Sequence, residues 1–210
     1  MALGALIAGA VGTIVAAPAV SVTKALAVAG LAIQGLKAIG AVFTALCKAL
    51  GLIKPETEVE DLGDKALQAE QDGIVPENFD SYEEYMKTVE DYETDPERSK
   101  QISQEDKMRK GLELISGVMI EKFNDFPMSD LLVSMGKNID FFTPEKVGEL
   151  AGVIMKEPNV IGDLSGYLSG TEKNDAKLES AIDTLTSVTK MVEPEKNDVE
   201  ILRDIAALRK

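Results

Sequence analysis

Histidine and tryptophan are missing altogether from this 210-residue chain, and cysteine occurs once. Without imidazole there is no Ser-His-Asp or Cys-His site, no histidine-ligated metal and no imidazole acid–base step. One cysteine, Cys47, makes neither an internal disulfide nor a zinc cluster, so the fold does not depend on an oxidising compartment. Set in an apolar run, it reads as a small buried hydrophobe and not as a reactive thiol. Aromatic residues are 5% of the chain, so a core must be built from Ala, Leu, Ile, Val and Met. Neither standard spacing of a Gly-rich phosphate loop occurs, and Asp163 to Gly170 lacks the alternating acids of a calcium loop. Paired carboxylates such as Glu83-Glu84 and Glu90-Asp91 are what 36 acids on solvated helix faces produce. These absences predict a protein that is not an enzyme, with no catalytic residue, no cofactor and no metal.

Acid is also missing locally. Residues 1–54 hold four lysines (Lys24, Lys37, Lys48, Lys54) and no Asp or Glu. The total charge is −14, so the remainder carries −18. Such a body is repelled by phosphate backbones, and no basic stripe offers a binding face, which excludes nucleic acid as a partner.

Met1 to Thr23 is uncharged over 23 residues, enough to cross about 30 Å of hydrocarbon as a helix. Ala17-Pro18-Ala19 has the small-x-small form of a cleavage site. No Lys or Arg precedes it, however, and the chain stays apolar after it, so no cleaved signal peptide is expected. Pro18 followed by Ser21 reads as a break and an N-cap, which divides the arm into helices near 3–16 and 22–52, closed by Gly51 and Pro55. In the first helix Ala5/Gly9 and Ala8/Gly12 are small-xxx-small pairs that let backbones approach closely. In the second, Thr23, Ala27, Gly30, Gln34, Lys37, Ala41, Thr44 and Lys48 recur every three or four residues and form one small or polar stripe. Leu26, Leu31, Leu36, Ile39, Phe43 and Leu46 cover the rest of the circumference. A helix apolar over most of its surface must be buried in lipid, in a partner helix or in neighbouring subunits. Lys37 argues against a passive membrane anchor, since mid-span a lysine costs about 2.5–3.5 kcal/mol.

Residues 55–81 are rich in Pro, Gly and acid and read as a connector with one weak helix near 61–71. Ser81 with Glu84 has capping-box spacing, with Phe79 as a hydrophobic staple, and the helix that follows places Tyr82, Tyr85, Val89 and Tyr92 on one packing face. Ser103 and Asp106 open a helix over 104–124 whose apolar positions, Met108 to Phe123, fit the 3.6 period. Further helices are expected near 127–137, 144–156, 159–169, 172–191 and 195–209, with Pro127, Pro144 and Pro194 each where a first helical turn would begin. Glu172-Lys173-Asn174-Asp175 echoes Glu195-Lys196-Asn197-Asp198, which reads as a shared way of starting a helix; a repeat array needs three or more units. No stretch alternates with a period of two. The expected fold is all-α: an apolar N-terminal helical hairpin over 1–54, an acidic connector with short helices over 55–102, and an acidic multi-helix bundle over 103–210.

A Gly/Ala-rich apolar start before an acidic helical remainder is similar in character, though not in motif, to components of phage particles or injection and secretion machines. The first expectation is a structural subunit of such an assembly, with the N-terminal helices forming an oligomeric or membrane-penetrating bundle. Its partners are then further copies or other subunits, with membrane lipid meeting residues 1–54, and its location is with the assembly or membrane. Two alternatives stand beside it. One is a pore-forming toxin or holin-like protein. The other is a soluble, cytoplasmic helical adaptor or chaperone with the arm in its own core.

Overall fold

The computed structural model describes residues 33–209 apart from Asp125, with the backbone alone for Ile33 and Gln34. Among the described residues there are ten α-helices, one 3-10 turn (Pro76–Asn78) and no strand. The helices are α1 (Ile33–Ala49), α2 (Val59–Gln71), α3 (Tyr82–Glu90), the single turn α4 (Pro96–Ser99), α5 (Gln104–Lys122), α6 (Met128–Lys137), α7 (Pro144–Lys156), α8 (Val160–Leu168), α9 (Asp175–Val192) and α10 (Asp198–Leu208). The protein is therefore all-α. The first helix of the expected hairpin lies outside the described residues, as does the start of the second. No helix among the described residues is long and apolar enough to cross a membrane.

The chain divides into two compact units at Lys122/Phe123. In the first, α5 is the element against which α1, α2 and α3 all pack. Residues anticipated as connector thus contribute α2 and α3 to a core shared with α1. On α2, Leu62, Ala66 and Ala69 are fully buried, and Gly63 allows α5 to come so close that a Cβ there would lie 1.7 Å from the Lys107 carbonyl oxygen. Gly111 of α5 does the same in reverse, 1.9 Å from the Val59 carbonyl oxygen. Two helices thus meet backbone to backbone, the contact that small-residue spacing allows. A third glycine, Gly117, is covered by the ring of the buried Tyr82.

Around this crossing lies a buried polar network. Asp64 on α2 accepts from Lys107 (2.9 Å), from Gln68 Nε2 (2.9 Å) and from the Ser99 hydroxyl. Burial alone would raise the Asp64 pKa, but the hydrogen bonds from Ser99, Lys107 and Gln68 hold it below the ordinary carboxylate value. Lys110 bridges Glu70 and Glu113 in the same way on the next turn of α5.

Local sequence explains the ends. Gly51 (φ +68°) closes α1: its N–H bonds the Lys48 carbonyl, and the Leu52 N–H bonds that of Cys47, the Schellman arrangement that favours glycine. Ser81 caps α3 through the Glu84 N–H, as its spacing predicts. The reciprocal partner is Glu121 of α5, whose two carboxylate oxygens take the Tyr82 and Glu83 N–H groups. Phe79 packs tilted against Tyr85, with ring centroids 5.5 Å apart and planes at 53°.

In the second unit α9 packs against α7, α8 and α10, and α6 against α8. Its core is aliphatic: Leu131, Leu132, Val147, Leu150, Ile154, Leu164, Leu185 and Ile205 are all shielded from solvent. Asn174 and Asn197, the two echoed asparagines, are both N-caps, and Asn197 forms a complete capping box with Glu200. Lys146 is almost wholly buried, its ammonium 2.6 Å from Glu193 and over the Phe141 ring.

Candidate interaction surface

The stripe on α1 is the sequence feature with the clearest structural counterpart. An α-helix places residues 37, 41, 44 and 48 on one side. Its opposite side (Leu36, Ile39, Val42, Phe43, Leu46 and Cys47) is sealed in the core of the first unit. Lys37 and Ala41 are exposed and Lys48 is half-buried, while Thr44 sits lower, 5% exposed. Gln34 falls in the first turn of α1. Thr23, Ala27 and Gly30 of the stripe, and Ala5, Ala8, Gly9 and Gly12 of the close-packing set, lie outside the described residues.

Lys37, Ala41 and Thr44 form one wall of a groove of about 460 Å³. The opposite wall is the start of α2, from Glu58 to Asp61, and Met108 of α5 completes the lining. Gly40 explains why the walls stand where they do. Its Cβ position is 2.8 Å from Val59 Cγ1 and 3.0 Å from Met108 Cε, so the absent side chain lets α1 press against both.

Charge is divided across the groove. Lys37 stands on the α1 side and takes part in no ion pair among the described residues, whereas Glu58, Glu60 and Asp61 stand on the α2 side. Acids in a first turn favour the helix N-terminus. Glu58 is held loosely by Lys48 at 3.5 Å on the surface, and Glu60 accepts from Gln104 at 2.8 Å. The Thr44 hydroxyl is shielded from solvent and has no hydrogen-bond partner among the described residues. A buried hydroxyl without a partner costs stability, and the usual helical remedy, donation to the carbonyl one turn back, is not taken.

No known protein family, curated protein or solved structure matches the chain. The reading of this surface therefore rests on its own chemistry. Among the described residues no group of three Cys, Asp or Glu side chains converges to hold a metal ion. Burial, and then the charge of Glu90, pushes the Cys47 thiol well above its usual range, so it stays protonated and inert. The neighbouring smaller cavity beside Lys54, Lys65 and Glu90 is satisfied from within. There one Glu90 carboxylate oxygen accepts from the Lys54 N–H and the Thr57 hydroxyl, pinning the α1–α2 loop to the end of α3.

What the arrangement offers is a charged, shallow surface beside small side chains, suited to another protein surface more than to a small molecule. Sequence reasoning found the α1 side of it through helical periodicity. It did not find Glu58, Glu60 and Asp61, because acids in a segment that reads as connector look like solvated linker charge. The available signal was the Gly63/Gly111 pair, two helical glycines that need a close partner.

Proposed function

We propose that the chain is a non-enzymatic structural subunit of a multi-subunit assembly, of the phage or injection and secretion-machine type. In this reading α1 is the root by which the acid-free N-terminal segment is fixed to the acidic body, and residues 1–32 contribute to an oligomeric or membrane-penetrating bundle. The observation that carries it is the charge split: all 36 acids lie beyond residue 54, behind an apolar start that is uncharged to Thr23. Charge of one sign on the body keeps copies soluble, and an apolar segment freed of acid is what burial in protein or lipid requires.

A second reading, a soluble adaptor with the arm folded into its own core, is favoured by one feature: residues 36–47 already bury their apolar face in the first unit. Light scattering on the full chain and on chains beginning at residue 33 or 55 separates the two. The assembly reading expects an oligomer for the full chain and a folded first unit with weaker association when residues 1–32 are removed. Removing residues 1–54 takes Leu36, Ile39, Phe43 and Leu46 from the core and is expected to unfold the first unit in either case. A well-behaved full-length monomer at all concentrations would sink the assembly reading. Dye release from liposomes by the full chain would turn it toward a pore-forming protein.

A further inference from the structure

We infer that the groove between α1 and the start of α2 is a docking surface for a second copy of this chain, in a two-fold contact where Lys37 of each copy meets Asp61 and Glu60 of the other. This rests on the assembly reading and says where two of its subunits touch.

Three observations carry it. The groove is self-complementary in charge. Among the described residues Lys37 on one wall and Asp61 on the other have no ion-pair partner, while Glu60 is held only by the neutral Gln104 and Glu58 only loosely by Lys48. A two-fold axis beside such a groove presents each lysine to the other copy's acids, and reciprocity of that kind is what an isologous interface requires. The ridge that would approach is small: Ala38 and Ala41 are exposed, so two α1 helices can come close without displacing bulk. Finally, Lys37 lies about one turn into α1, so the contact sits at the root of the N-terminal segment and brings two such roots together.

A small-molecule occupant fits less well. The groove is open and carries charged side chains on both walls, and small-ligand sites are enclosed and mostly apolar.

The test uses the full-length chain. Sedimentation equilibrium of the wild type, Lys37→Glu, Asp61→Lys and the double variant gives four association constants. Each single variant replaces reciprocal attraction by repulsion and is expected to weaken association roughly tenfold or more, while the double variant, with the charges exchanged, recovers most of the loss. Both positions are at the surface, and circular dichroism checks that the helices remain. If Asp61→Lys lowers helicity, Glu60→Lys takes its place.

A second measurement keeps the inference exposed where other contacts dominate the mass. Equal amounts of ¹⁴N- and ¹⁵N-labelled chain are mixed and treated with a carbodiimide, which joins an amine to a carboxylate with no spacer. A mixed-label peptide linking Lys37 to Asp61 or Glu60 is the expected product. If only same-label links form, Lys37 reaches its own chain's acids and the inference fails. It also fails if the single variants associate like wild type, or if the exchanged variant stays as weak as the singles; in both cases an oligomeric wild type leaves the assembly reading standing. A wild type monomeric at all concentrations removes both.

Discussion

In the first unit a methyl group added at Gly63, Gly111 or Gly117 would land on a backbone carbonyl or on the Tyr82 ring; in the second unit, one added at Gly148, Gly152 or Gly162 meets open space. The two units are both made of amphipathic helices, yet one is held by backbone proximity and the other by side-chain filling. Polar groups follow the same division. The first unit buries Asp64 and Gln68 in a hydrogen-bonded network at its crossing, and Glu90 where the end of α3 holds the α1–α2 loop. The second buries Lys146 against Glu193, and the other polar side chains buried there are the short hydroxyls of Ser134, Ser165 and Thr189. Close backbone crossing leaves less room for apolar side chains, so specificity there depends more on polar groups that fit in one way.

The largest effect is expected at the crossing. Gly111→Ala puts its Cβ 1.9 Å from the Val59 carbonyl oxygen, and backbone cannot swing aside as a side chain does. Helices α2 and α5 must separate, at a cost of about 4 kcal/mol or more. Hydrogen exchange resolved by unit checks this, with protection lost through α1–α5. Full protection of α2 in the variant would refute the backbone-contact account.

That crossing also marks where the sequence stops being legible. Helices from residue 104 onward follow their apolar period and their caps closely: Ser103, Thr143, Asn174 and Asn197 each accept from the N–H three residues on. Those signals are local, and local signals survive translation into structure. The importance of α2 is not local. Its apolar positions are few and small, and Gly63 has meaning only once Gly111 is seen to face it. On α1 the period picks out the apolar positions, but a period cannot say what buries them. For residues 36–47 the answer is the chain's own α2 and α5. The groove was half legible for the same reason, its α1 wall being periodic and its α2 wall a set of ordinary-looking acids.

The polar half of the comparison is sharpened by pH. Asp64 has a depressed pKa in the folded protein. Its stabilising contribution is therefore complete above the ordinary carboxylate value, about 3.9, and is lost as pH falls through the lower folded value. Asp64→Asn leaves Lys107 without its charge partner in a mostly buried site. At neutral pH this should cost about 3 kcal/mol, and it should flatten the acid limb of the stability curve. Urea denaturation from pH 3 to pH 7 provides the measurement. An unchanged acid slope in the variant would place the acid sensitivity elsewhere.

The smallest effect has the opposite sign and belongs to the second unit. Gly152 lies well inside α7, exposed, with nothing within 4 Å of where a Cβ would stand and without a positive φ. The folded conformation thus accepts alanine without strain, while the unfolded chain loses some of glycine's freedom. Gly152→Ala should stabilise by about 0.5–1 kcal/mol, measured as a rise in the urea midpoint with no change in slope. One methyl group, added to a helical glycine in either unit, would then separate the two modes of packing by the direction of the change alone: collapse at Gly111, where the glycine is a contact, and gain at Gly152, where it is only an absence.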